Sequence, residues 1–238
     1  MGSEMCIRDS ACNRCHADKD ADWALAAVEK WYGPRMNRPA RQRARIIAQA
    51  RESRDDSRDD LLQLLREEKT PFWKAVATEL IHPWAGDPEV ATTLLDNLAS
   101  TNALLRGTTG RALNPLARRG DAGVDAALRR LLDDPVRKVR VDAAWVLRDR
   151  VNPQTTAGGD LVRMLEYNID MPTGALQKGL YHLDRNETEP AERYFRRAIE
   201  LDAHSAPLRH EYAIALSMMG RPRDAIAALN AECTQSVC

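Results

Sequence analysis

Aromatic residues are scarce, at 5% of 238 positions with only two phenylalanines, and that argues against a sheet-rich core. Long apolar runs are absent too. The hydrophobic stretches are short and broken by charge, which excludes a transmembrane helix. Net charge is missing, with 35 basic and 35 acidic residues, so neither a general nucleic-acid binder nor a membrane-surface binder is expected. Residues 1–10 lack the basic start and apolar centre of a signal peptide. No nucleophile–base pair, phosphate-cradling loop or paired catalytic carboxylates can be picked out, so the chain is not read as an enzyme. What is abundant is Ala, Leu and Arg, which together favour an all-α fold.

Five cysteines are present, and two of them, Cys12 and Cys15, stand three apart with His16 directly after. Cys-x-x-Cys-His is the attachment signature of a c-type haem. Two thiols at that spacing reach the two vinyl groups on one porphyrin edge, and the imidazole that follows swings under the ring to bind iron. Cys12 and Cys15 are therefore candidate covalent haem c attachment points, with His16 the candidate proximal iron ligand. Zinc is an alternative, with His16 or Cys6 as third ligand, but no second pair stands at zinc-finger spacing. A thioredoxin-like role needs a βαβ context, and none is visible. An incidental motif is the third alternative. Haem attachment to this motif takes place in the periplasm or an equivalent compartment, so the haem reading expects an export signal and an upstream portion that this sequence does not contain. Met5-Cys6-Ile7-Arg8-Asp9-Ser10 resembles translated sequencing-adapter sequence, and Cys6 receives no role. Cys233 and Cys238 are read as a pair available for oxidation or as part of a frayed tail.

Helical periodicity begins after the motif. Trp23, Ala27 or Val28, and Trp31 recur at helical spacing, and Gly33-Pro34 stops the run. Trp23 and Trp31 are expected in the core, with a haem edge as the alternative. Pro39, Pro71 and Pro135 share a 32-residue grid, with Ala103 in the vacant place and Gln42, Lys74, Arg106 and Lys138 three residues after each grid point. Proline is tolerated in the first turn of a helix. Second helices are expected near 39–52, 71–82, 102–117 and 135–149, preceded by first helices at 21–32, 59–67, 89–99 and 123–132. Gly107, Gly110 and Pro115 predict an irregular or kinked third unit. The Arg-rich run 35–58 alternates with Ala and Ile and is followed by acids, which reads as the solvated face of a helix.

Residues 151–160 read as a linker and 161–167 as a short helix. From Pro172 a 34-residue period begins. Gly179, Ala191, Phe195 and Ala198 stand at the small, small, large and small packing places, the first three recur as Ala213, Ala225 and Leu229, and Gly220 ends a helix before Arg221-Pro222 opens the next.

Asp133-Asp134-Pro135 through Val139-Arg140 to Ala143-Ala144 and Leu147 resembles a HEAT repeat, and the 172–232 pattern resembles two tetratricopeptide (TPR) units. The expected architecture is an α-solenoid of helical hairpins, HEAT-like then TPR, behind a short haem-motif segment. Its parts are 1–19, 20–150, a linker with a short helix over 151–171, and 172–238. Over residues 11–232 this order is similar to the C-terminal portion of a bacterial multihaem cytochrome c family. The resemblance matches Ser10 to His16 to the last of several haem motifs, and Trp23 and Trp31-Tyr32-Gly33 to the helix after it. It implies an exported, periplasmic electron-transfer protein with a redox partner protein or a peptide docked on the solenoid. Candidates for a second axial ligand are His82, His182, His204, His210 and several methionines. The rival reading is a haem-free HEAT/TPR adaptor whose motif is incidental or binds zinc.

Overall fold

The computed structural model describes residues 15–52 and 57–230. Among these residues the protein is all-helical, with fourteen α-helices, two short 3-10 turns and no strand. It divides into two compact units, residues 1–64 and 65–238.

In the first unit, α1 (Ala21–Tyr32) and α2 (Pro39–Arg51) follow the predicted spans closely, and α3 (Ser57–Glu67) begins. Asp20 caps α1 by accepting from the Trp23 N–H at 2.8 Å. Gly33 ends the helix at φ 47°, a left-handed value that suits glycine, and donates its N–H to the Glu29 carbonyl. Arg41 on α2 holds the Glu29 carboxylate on α1 at 2.6 Å. Ile46 and Ile47 are buried in α2 while the arginines around them stay outside or at the margin, as an amphipathic helix requires. The expectation for the tryptophans is overturned. Trp31 is 67% exposed and Trp23 37%, because the inward face of α1 is Ala24 with Ala27 and Val28 at i, i+3 and i+4, which leaves both indoles on its flank.

The second unit starts with α4 (Pro71–Ile81), α5 (Pro88–Asn97), α6 (Ala103–Ala112), α7 (Asn114–Arg118), α8 (Ala122–Leu131) and α9 (Arg137–Val146). Here α4 packs on α6 and α6 on α9, with α5 against α6 and α8 against α9. The third unit breaks where strain was expected, but not at its glycines. α6 runs through Gly107 and Gly110, and the chain restarts after Leu113 with Pro115 in the first turn of α7.

The 32-residue grid needs correction at its last step. Pro39 and Pro71 open α2 and α4, but Pro135 lies ahead of α9, which starts at Arg137. Asp134 turns its carboxylate onto the Val136 N–H at 2.8 Å, so Pro135 sits in the capping loop. The counterpart of Arg106 is accordingly Arg140, 34 residues on, while Lys138 pairs with Asp142 one turn along its own helix.

The expected linker is also shorter than read. Helix α10 (Thr156–Tyr167) takes in Gly158-Gly159, with the Thr155 hydroxyl accepting from the Gly158 N–H at 3.2 Å. Gly158 lies so close to the Asn152 carbonyl that a Cβ would overlap it, so this glycine marks a close approach of backbones. Then come two hairpins, α11 (Pro172–Asp184) with α12 (Thr188–Leu201) and α13 (Ala206–Met218) with α14 (Pro222–Asn230). Phe195 is fully buried with its ring 3.2 Å from where a Gly179 Cβ would stand, and Ala191 and Ala198 flank it. Burying an aromatic side chain of this size stabilises by about 1.5–3 kcal/mol.

Candidate functional site

Cys15 and His16 lie just ahead of α1, in a turn closed by the Lys19 N–H donating to the His16 carbonyl at 3.1 Å. The Asp20 cap fixes where α1 begins, and so fixes Trp23 one turn into it. The His16 ring stands 4.8 Å from the Trp23 ring, tilted by 53°. The Cys15 thiol is free and exposed, and so is His16. Cys12, the other predicted attachment residue, lies outside the described residues, as do Cys6, Cys233 and Cys238.

Of the two thiols and one imidazole that thioether attachment and iron ligation require, the described segment holds one accessible thiol and the imidazole, and a flat indole lies beside that imidazole. These fit a porphyrin edge chemically: the thiol to add to a vinyl group, the imidazole to donate a lone pair to iron, the indole to cover apolar ring surface. Among the described residues no group of three or more His, Cys, Asp or Glu is arranged to hold a metal ion, and the zinc alternative depends on Cys6 and Cys12.

The four other histidines all belong to the second unit. His82 Nδ1 lies 2.8 Å from the Glu79 carbonyl at the end of α4, and His204 and His210 are exposed. His182 is half-buried. Its Nδ1 meets Glu187 Oε2 at 2.6 Å and its ring stacks on Tyr194 at 5.3 Å. The hydrogen bond from His182 holds the Glu187 carboxyl below its ordinary range, with Arg185 adding to the effect against the cost of burial.

Asp134, Asp160 and Asp184 each gather arginines, Asp134 and Asp160 buried and Asp184 with its side chain only 10% exposed, and the sequence reading did not pair them. Arg106 clamps Asp134 through Nε and Nη2 at 2.8 and 3.0 Å, and its Nη1 donates to the Ser100 carbonyl. Arg140 repeats the arrangement 34 residues later, binding Asp160 at 2.6 Å and the Asp134 carbonyl at 2.8 Å. Arg137 and Arg163 complete the ring around Asp160. The Arg106 hydrogen bond draws the Asp134 pKa down. Burial pushes Asp160 up, but hydrogen bonds from Arg140, Arg163 and Arg137 outweigh it and its carboxyl is also held low. Asp184 receives Arg148 at 2.6 Å and Arg118 as well. Burial lowers the Arg148 pKa while Asp184 opposes that. These ion pairs tie neighbouring helices and the turns between them together. The signal that could have found the first two is the recurrence, 34 residues apart, of an apolar-Arg pair, Leu105-Arg106 in α6 and Val139-Arg140 in α9.

No protein-family model, curated protein or solved structure matches the chain. No helix among the described residues is long and apolar enough to cross a membrane.

Proposed function

We propose that this chain is part of an exported, periplasmic multihaem c-type cytochrome in which Cys12 and Cys15 hold haem c covalently and His16 ligates its iron. On this reading the helices form a HEAT-like and then TPR solenoid that docks a redox partner protein or a peptide. The single observation that carries the haem reading is the side-by-side exposure of the Cys15 thiol and the His16 imidazole, with the imidazole backed by Trp23. Once attached, the haem supplies one-electron redox chemistry. Cys15 would anchor one porphyrin edge and His16 would donate its lone pair to iron, with Trp23 against the imidazole limiting how far it turns. The repeat reading is supported by the 34-residue recurrence of the Arg106 contacts at Arg140 and of the small buried residues Gly179 and Ala191 at Ala213 and Ala225.

The test is expression with an added export signal and the haem-attachment machinery, as wild type and as Cys12→Ala/Cys15→Ala. Haem that survives denaturing electrophoresis in the wild type alone, with a reduced-minus-oxidised absorption spectrum of a c-type cytochrome, supports the reading. Absence of covalent haem from both forms sinks it and leaves the haem-free adaptor, to be followed by zinc analysis.

A further inference from the structure

The turn from α11 to α12 contains Asn186-Glu187-Thr188, the single Asn-x-Ser/Thr tripeptide in the 238 residues. With any residue but proline in the middle, this tripeptide is the acceptor for N-linked glycosylation, a modification of surface loops in exported proteins. Asp184 stands two residues before the asparagine, where transferases of the bacterial type also read a carboxylate.

The fold leaves the two residues that define the acceptor open. Asn186 is exposed at φ 60°, with its backbone N–H donated to the Leu183 carbonyl at 2.9 Å. Thr188 is exposed as well, and neither its hydroxyl nor the Asn186 amide is engaged by another described side chain. The middle residue, Glu187, is held by His182 at 2.6 Å and Arg185 at 3.3 Å. Asparagine at 186 has a reason in the fold, since it tolerates the left-handed backbone that Gly220 adopts one period on. Threonine at 188 has none. It is the first residue of α12, one past the capping place, and its counterpart one period on is Pro222. A hydroxyl there caps nothing, and a β-branched side chain gains nothing in a helix. An acceptor tripeptide accounts for both residues.

We propose that Asn186 is the attachment site of an N-linked oligosaccharide, added when the chain is exported. The Asn186 Nδ2 bonds to the anomeric carbon of a polyprenyl-pyrophosphate-linked oligosaccharide. The bond from that carbon to the pyrophosphate oxygen breaks, its electron pair leaves with the pyrophosphate, and the amide gives up one proton to the transferase. In the finished fold Asp184 is taken by Arg148 at 2.6 Å and by Arg118, so transfer precedes the closing of those ion pairs. The assignment rests on the exported reading, because donor lipid and transferase meet a chain outside the cytoplasm.

The full chain with an added export signal, produced in bacterial cells that make an oligosaccharyltransferase and its lipid-linked donor, tests this beside Asn186→Gln, Thr188→Ala and Thr188→Ser. Mass spectrometry of the tryptic peptide 186–193 from the exported, signal-cleaved fraction gives the answer. The expected result is a glycan on Asn186 in the wild type and in Thr188→Ser, lost in Asn186→Gln and Thr188→Ala. An exported wild type with Asn186 wholly unmodified overturns the proposal, and so does a glycan that persists in Thr188→Ala. Covalent haem is scored separately on the same fraction, so an unmodified Asn186 is distinguished from failure of the cytochrome reading.

Discussion

Arg106 and Asp134 are 28 residues apart and meet through two parallel hydrogen bonds, with their side chains only 13% and 7% exposed. The pair ties α6 to the loop that caps α9, and Asp134 serves both ends, since the same carboxylate accepts the Val136 N–H. Two arginines, Arg106 and Arg140, thus each bind the carbonyl six residues behind them and a buried aspartate ahead. The bidentate geometry suits arginine and not lysine.

Removing one partner strands the other. Arg106→Ala should destabilise the fold by about 2–4 kcal/mol, because it leaves a largely buried carboxylate unpaired. Asp134→Ala should cost at least as much, since the Val136 N–H also loses its acceptor. The double variant should lose less than the sum of the two, and chemical denaturation of all four forms measures the coupling.

Acid should unfold the protein through these same groups. The folded pKa of Asp134 is depressed chiefly by Arg106, and that of Asp160 by Arg140, Arg163 and Arg137 against its burial. A depressed carboxylate pKa adds stability above the unfolded value of about 3.9, and the gain disappears as pH falls through the folded value. Stability should thus be flat from about pH 5 to 7 and drop below about pH 4. Replacing Arg106 with Gln should make that drop shallower, as urea midpoints taken across the acid range would show. An unchanged slope would mean that Asp134 titrates as it does in the unfolded chain.

Adjacent glycines in α10 should respond in opposite ways. A Cβ at Gly158 would overlap the Asn152 carbonyl and crowd Pro153, whereas at Gly159 its nearest contact is the Pro153 carbonyl oxygen at an ordinary 3.5 Å. Gly158→Ala should cost about 1–3 kcal/mol from forced displacement of the loop. Gly159→Ala should gain up to about 1 kcal/mol from helix propensity. Thermal melting of the two single variants decides it, and equal effects would contradict the close approach.

Helix positions were legible because their signals are local: apolar spacing at three and four residues, proline opening α2 and α4, and Gly33-Pro34 closing α1. What escaped reading depends on groups distant in sequence. Gly158-Gly159 look like flexible linker until the Asn152 backbone is seen against the first of them. Pro135 looks like a helix start until Asp134 is seen capping Val136, and that two-residue slip hid the kinship of Arg106 with Arg140. Trp31 has the spacing of a core residue, but which stripe of α1 turns inward depends on what packs there. For the candidate site, Cys15 and His16 were readable from spacing alone, while the ring contact of His16 with Trp23 was not, since it needs the Asp20 cap to set the start of the helix.

Asn186 and Gly220 offer a test of the 34-residue period at the level of single backbone angles. They are one period apart and share the left-handed conformation, with φ of 60° and 76°. Each closes its helix the same way. The following residue, Glu187 or Arg221, donates its N–H back to the carbonyl of His182 or Leu216 at 2.9 Å. The left-handed region costs an ordinary L-residue about 1–2 kcal/mol, glycine nothing and asparagine an intermediate amount. Gly220→Ala should therefore lower stability by about 1 kcal/mol, Asn186→Ala by less, and Asn186→Gly should be neutral or slightly stabilising. If the two turns are true equivalents, Gly220→Asn should restore most of what Gly220→Ala loses, and a melting series over the four variants would show it. An Asn no better than Ala at 220 would mean that the two turns resemble each other in angle only, and that the period does not extend to the forces that hold them.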